Sequence, residues 1–298
     1  MRIVFNTSFE ESIRSVNRAA ESMHEAQRQV ASGKRMSTPS DDPLGAVAAV
    51  NEHDALSRLG AYASAADAAA YRLGLVDSAL SDVLTQLTAA QSATVSARGS
   101  SRTQADRNAA SQQILAIRDS LQADINTKFQ NAYLFSGSRV DRPAYATTAP
   151  NTFSAYQGDV DATRIEVEPG RSVASTFDGA AIFQGGDPAH ILDALTTLAT
   201  AITNNDDAAI QVGVDAIGRA FDRATAAQSA VGNDLRVIDD GRIRTAASKV
   251  GVIARLTTVE DADLAQAASQ LAQSETSYRA ALASAATLGR VSLMDYLK

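Results

Sequence analysis

Three histidines, His24, His53 and His190, are the side chains best suited to move protons near neutrality or to hold a transition metal. None stands in a His-Glu-x-x-His pattern, and none has a second ligand type at metal spacing. His24 falls on the charged side of its helix, where solvent is the ordinary environment. Asp41-Asp42 could bind a cation in principle, but the Pro43 that follows makes helix capping the simpler reading. Serines and aspartates are plentiful, yet no histidine lies where it would complete a triad. Gly185-Gly186 and Gly137-Ser138 form neither a phosphate loop nor a nucleophile elbow. The chain has no Cys, which excludes thiolate nucleophiles, disulfides and Cys-based zinc or iron–sulfur centres. No catalytic, cofactor-binding or metal-ligating residue is assigned, no cofactor is expected, and nothing argues for an enzyme.

The composition points the same way. The 298 residues carry a formal net charge of -7, a poor match for the phosphate contacts that nucleic-acid binding requires. Hydrophobic types reach 45%, but aromatics are only 5%, Trp is absent, and roughly a fifth of the chain is Ala. Such a chain suits thin layers of closely packed helices rather than one thick core. No run of 18 or more apolar residues exists, so no membrane span is expected. Glu10, Glu11 and Arg14 stand where a cleaved signal peptide would need its apolar stretch.

Proline spacing places the long elements. None of the six prolines falls between Leu44 and Arg142 or after Pro188, so long helices are possible in both stretches. Asp42 is placed to cap a helix that opens at Pro43 and stops at Gly99. Along it Leu73, Val76, Leu80, Val83, Leu87, Ala90, Thr94 and Ala97 alternate three and four apart, the seam of a coiled coil. Thr103 with Asp106 reads as a capping box opening a second helix, whose stripe Ile114, Ile117, Leu121, Ile125 continues to about Asn131. From about Tyr133 to Asp187 the character changes. Roughly half of the aromatics lie in this region, and Arg164–Glu168, Pro169-Gly170 and Arg171–Ala174 read as a β-hairpin. Tyr133-Leu134-Phe135 reads as a packed junction. Helices resume at Asp187-Pro188, break at Asn204-Asn205, then follow Ile210, Val214, Ile217, Phe221, Ala224, Gln228, Val231, Leu235 and Ile238. The expected fold is mainly α: an elongated α-helical coiled-coil rod with paired N- and C-terminal helices and a small β-rich insert.

The two ends match in kind. Phe9, Ile13, Val16, Ala20, Met23, Gln27 and Val30 form one heptad stripe at the front. Leu264, Leu271 and Tyr278 recur seven apart at the back, with Ala267, Ala281 and Leu288 on neighbouring positions. The stripes could pair with each other and finish the molecule, or they could need other copies. Ala-rich seams bury little area, and at about 25 cal/mol per Å² a lone pair is thin against about 1–2 kcal/mol of backbone entropy per ordered residue. That imbalance favours packing between copies. The candidate polymerisation interface is Phe5, Phe9, Ile13, Val16, Met23, Val30, Leu264, Leu271, Tyr278, Leu282 and Leu288.

These residues carry a resemblance. The opening Met1-Arg2-Ile3, Ser32-Gly33-Lys34-Arg35 with Thr38-Pro39-Ser40-Asp41-Asp42-Pro43, and Asn131-Ala132-Tyr133-Leu134-Phe135-Ser136-Gly137 are similar to bacterial flagellin-type axial proteins. The end, from Tyr278-Arg279-Ala280-Ala281 to Leu293-Met294-Asp295-Tyr296-Leu297, fits as well. Flagellins tend to follow the acidic pair with Ala-Ala-Gly, where this chain has Pro43-Leu44-Gly45. That departure favours a junction member of the family over a filament subunit. The resemblance implies a structural protein, exported without a cleaved signal through the flagellar type III apparatus and residing in the extracellular flagellum. It implies self-assembly into a ring between hook and filament, contacts with hook-associated proteins and flagellin, and an export chaperone on the C-terminal region. By the same likeness residues 1–39 with 258–298 form the terminal polymerisation domain, 40–135 with 188–257 the helical rod, and 136–187 the outer β-rich domain. A flagellin-type filament subunit is the alternative, and a coiled-coil signalling or adhesion protein a more distant one.

Overall fold

A computed structural model of the chain describes the backbone of residues 2–99 and 102–296 and the side chains of residues 10–99 and 102–287. In chain order the elements are α1 (Arg2–Ser32), α2 (Pro43–Ala97), α3 (Gln104–Ile125), β1 (Lys128–Phe129), β2 (Ala132–Tyr133), β3 (Thr147–Ala149), β4 (Thr152–Phe153), β5 (Arg164–Glu168), β6 (Arg171–Ala174), α4 (Gly179–Phe183), α5 (Ile191–Asn204), α6 (Asp207–Glu260) and α7 (Leu264–Tyr296). The fold is mainly α with three two-stranded antiparallel hairpins. Its contacts divide it into two units, residues 1–59 with 247–298 and residues 60–246; α2 and α6 contribute to both. None of the described helices is long and apolar enough to cross a membrane.

The unit of residues 60–246 is built on the seam that the sequence marks. Leu73, Val76, Leu80, Val83, Leu87, Ala90, Thr94 and Ala97 are all buried, because three-four spacing keeps them on one face of α2. The lone hydroxyl in that seam, Thr94, satisfies itself by donating to the Ala90 carbonyl at 2.7 Å. Ile114, Leu121 and Ile125 of α3 join the same cluster, with Leu192, Leu195 and Ile202 of α5. The capping box forms as its residues dictate: Thr103 Oγ1 accepts from Asp106 N at 3.2 Å, and Asp106 accepts from Thr103 N at 2.9 Å. On α6 the stripe is narrower than expected. Ile210, Ile217, Ala224, Val231 and Ile238 are buried, and Thr245 and Val252 extend the repeat of seven. The intervening Phe221 is 39% exposed, and Ala220 beside it is the covered residue.

Two boundaries differ from the expectation. The second helix ends at Ile125 rather than near Asn131, since Gln130 and Asn131 both take positive φ (47° and 67°) as the loop of the β1–β2 hairpin. Two central residues at positive φ suit the right-handed twist of paired strands. The helix after Asp187-Pro188 begins at Ile191 and is capped by His190, whose Nδ1 accepts from Asp193 N at 3.4 Å. Asp187 is drawn away from capping by two cations of α6: Arg219 Nε at 2.7 Å and Arg223 Nη1 at 3.0 Å. A local pattern lost to a distant ion pair.

The Tyr133–Gly137 motif is a packed junction. Phe135 is fully buried, edge-on to Phe183 with centroids 5.3 Å apart, and its carbonyl accepts from Gly179 N at 3.0 Å and Tyr156 Oη at 3.1 Å. A Cβ at Gly179 would come within 2.4 Å of that carbonyl, so the approach needs glycine. Gly137 holds φ +61°, with Asp159 O only 2.2 Å from where a Cβ would sit. The β5–β6 hairpin forms as read, turning at Gly170 with φ +72°.

One buried carboxylate sets a pH prediction. Desolvation, with Asp82 as a lesser cause, pushes Asp124 up to about 6, while Gln86 opposes the shift. A raised carboxyl pKa lets the folded state hold its proton longer than the unfolded chain, so this group lowers stability as pH rises from about 4 to about 6. Asp124→Asn is expected to be more stable than the parent at pH 7 by about 1 kcal/mol after solvent screening, and equal to it below pH 4. Urea melts of both proteins across that range check it; a gap that does not depend on pH contradicts the assignment.

Candidate assembly interface

The unit of residues 1–59 with 247–298 brings the terminal helices together. α1 packs on α7. The seam between them is made of small residues: Ser12, Ala26, Ala267 and Ser274 are its buried members. Ser22 and Ser274 hydroxyls meet at 3.2 Å. Ala19 and Ala281 continue the two rows at half-buried positions, so each row repeats every seven residues. Small seams let two backbones approach closely but bury little apolar area.

The large side chains fall beside this seam. Ile13 is 43% exposed, Leu264 56% and Leu282 43%. Val16, Met23, Val30, Leu271 and Tyr278 are half-buried. The side chains of Phe5, Phe9 and Leu288 lie outside the described residues. The two helices that carry the heptad stripes do pair within the chain, and the fully covered positions between them are small ones. Ser12, Ala26 and Ser274 were missed; the signal was the repeat of small residues at positions 12, 19 and 26 and at 267, 274 and 281.

Between α1 and α2 the Lys34–Asp42 segment is folded on itself and tied to the end of α6. Gly33 closes α1 with φ +68°, donating to the Gln29 carbonyl at 2.9 Å. Lys34 and Asp261 form a single antiparallel bridge: Arg35 N donates to Glu260 O at 2.7 Å and Ala262 N to Gly33 O at 2.9 Å. Glu260 accepts from Lys34 Nζ at 2.8 Å and meets His53 Nε2 at 2.7 Å. The Lys34 hydrogen bond, followed by that of His53, holds the Glu260 carboxyl below its ordinary pKa.

The acidic pair does structural work. Asp41 accepts from Thr38 Oγ1 at 2.7 Å, Thr38 N at 2.8 Å and Ser37 N at 2.9 Å. Those donors, Thr38 first, lower its carboxyl to about 2. Asp42 caps α2 through Gly45 N at 2.9 Å and pairs with Arg35 Nη2 at 2.9 Å. A Cβ at Gly45 would meet Asp42 Oδ2 at 2.5 Å, which explains a glycine in the first turn. Glu52 forms a two-pronged pair with Arg255 at 2.8 and 2.9 Å. Among the described residues no cluster of three or more His, Asp or Glu side chains could hold a metal. His24 is exposed, and His190 is buried in the other unit against Tyr145, with ring centroids 4.5 Å apart.

Residues 4–140 match the family model for the bacterial flagellin N-terminal helical region. Over that stretch the chain is similar to bacterial flagellins. Flagellar hook-associated protein 3 of Salmonella typhimurium is 28% identical over 184 residues, covering 61% of this chain and 57% of that protein. The Escherichia coli protein of the same name is 27% identical over the same span. The match thus takes in little more than half the length of these relatives. Among solved structures, flagellar hook-associated protein 3 of Legionella pneumophila superposes with TM-score 0.63 at 12% identity, over 70% of this chain and 98% of that one. A structure of the Legionella pneumophila flagellar junction protein gives 0.59 at 13%, over 72% and 99%. At such identities the likeness is one of fold.

Proposed function

We propose that the chain is a structural subunit of the bacterial flagellum that joins hook to filament. Copies assemble side by side through their terminal helices into a ring. The observation that carries this reading is the division of labour on α1 and α7. Small residues are the fully covered members of the pairing within one chain, while Ile13, Leu264 and Leu282 keep 43–56% of their surface in water. Docking them on neighbouring copies supplies the apolar burial that a thin two-helix seam lacks. The candidate interface is therefore the one named from the sequence, Phe5, Phe9, Ile13, Val16, Met23, Val30, Leu264, Leu271, Tyr278, Leu282 and Leu288, acting between chains. Residues 1–39 with 258–298 serve polymerisation, 40–135 with 188–257 form the rod, and 136–187 face outward.

The partners are further copies, hook-associated proteins on one side and flagellin on the other, with an export chaperone holding the C-terminal region beforehand. Export proceeds without a cleaved signal, and the role is structural rather than enzymatic. Deletion of the gene followed by electron microscopy tests the reading. Hooks without filaments, with flagellin monomer shed into the medium, are expected; normal filaments overturn it. Long filaments grown from the purified chain alone would instead assign it as a filament subunit.

A further inference from the structure

The unit of residues 60–246 carries an apolar depression of about 200 Å³, walled by Pro188, Ala189, Ala194, Leu198, Val212 and Ala216. It exists where α6 passes close to α5: a Cβ on Gly213 would come within 2.8 Å of Leu198 Cδ1. Val212 on its wall is 67% exposed, so none of the described residues covers it. The rim is positive. Arg219 and Arg223 both pair with the single carboxylate of Asp187, and the Arg219 side chain is half exposed. Only its Nε is engaged; its Nη groups have no partner among the described residues.

The same unit presents a matching knob. Val160 is 76% exposed, the most exposed large apolar side chain of this unit among the described residues. It projects from a rigid base. The Asp159 carboxylate accepts from Ser138 N at 2.7 Å and Ser138 Oγ at 2.5 Å, and the Asp159 carbonyl accepts from Tyr156 Oη at 3.1 Å. A side chain held this way loses little freedom on docking. Beside it Asp161 is exposed and has no ion pair among the described residues.

We propose that Val160 of one copy seats in the Leu198–Val212 depression of the next, with Asp161 facing Arg219. Apolar knob meets apolar hole, and an unpaired carboxylate meets the free Nη groups of a guanidinium that Asp187 engages only at Nε. Because the two patches differ, the contact runs head to tail and repeats around a ring or along a row. It rests on the self-assembly proposed above and adds a contact distinct from the terminal helices. One such contact is weak; it counts once those helices hold copies side by side at high local concentration.

The absence of cysteine makes the test direct. A Val160→Cys/Val212→Cys chain replaces the parent in a strain, flagella are isolated and mildly oxidised, and products are separated without reductant. A ladder of covalent dimers and longer species is expected. Either single variant gives dimers at most, and Val95→Cys/Val212→Cys, which moves the first cysteine to an exposed valine of α2, gives no ladder. Val160→Arg, which brings a cation against Arg219, is expected to lower the amount retained through a salt wash several-fold, whereas Val95→Arg does not. Flagella that contain the chain but yield no ladder, or equal retention of the two arginine variants, overturn this contact and leave the assembly reading standing. Flagella that lack even the parent chain overturn both.

Discussion

Replacing Ile13, Leu264 and Leu282 together by Asp is expected to strip the chain from isolated flagella while leaving the unassembled protein folded. Each side chain keeps 43–56% of its surface in water in the single chain, so each change should move stability by about 1 kcal/mol, well below its effect on assembly. In the proposed assembled layer the same positions would be covered, and three unpaired carboxylates there would each forfeit about 1.5–3 kcal/mol of apolar burial and add a desolvation cost. Incorporation should fall more than about a hundredfold. Immunoblots of purified flagella and of the culture medium, with thermal melts of the purified protein, separate failed assembly from failed export and failed folding. A triple variant that enters flagella at the parental level would show that these side chains do not carry the interface.

Phe135→Ala should cost the most stability of any single change considered. The ring is fully buried and edge-on to Phe183. Large-to-small changes at such sites cost about 3–5 kcal/mol, a substantial share of the roughly 5–15 kcal/mol that holds a typical protein folded. Phe135→Leu should lose much less, about 1.5 kcal/mol, because most of the volume remains. Urea unfolding followed by circular dichroism reads both. A loss below 1 kcal/mol for the alanine variant would mean that the junction around Tyr156 and Gly179 does not depend on the ring.

What the sequence revealed, and what it hid, follows from the range of the forces involved. The α2 seam was legible because its eight positions answer only to helical period and burial. The Thr103–Asp106 capping box, the Asp42–Pro43 helix start and the β5–β6 hairpin were legible because their partners lie within a few residues. Asp187 misled because Arg219 and Arg223, more than thirty residues away, compete for the carboxylate that a cap would have used. The β1–β2 turn gave no warning, since Gln130 and Asn131 adopt positive φ without a glycine. The pairing of α1 with α7 within the chain was half legible. Bulky residues draw attention in a periodic pattern, yet closest approach belongs to Ser12, Ala26, Ala267 and Ser274, whose small size reads as filler. The clasp of Glu260 on Lys34 and His53 joins positions over two hundred apart and had no local signature.

The first and last helices share one unit, and residues 60–246 leave it and return as a single closed excursion. A lineage can therefore enlarge, shrink or redecorate that excursion without touching the parts of the chain that must fit one another at both extremes. The same layout guides engineering. A foreign tag is best carried at an exposed bend of the excursion such as Asp141, whereas fusion to either extremity burdens a seam too narrow to tolerate bulk.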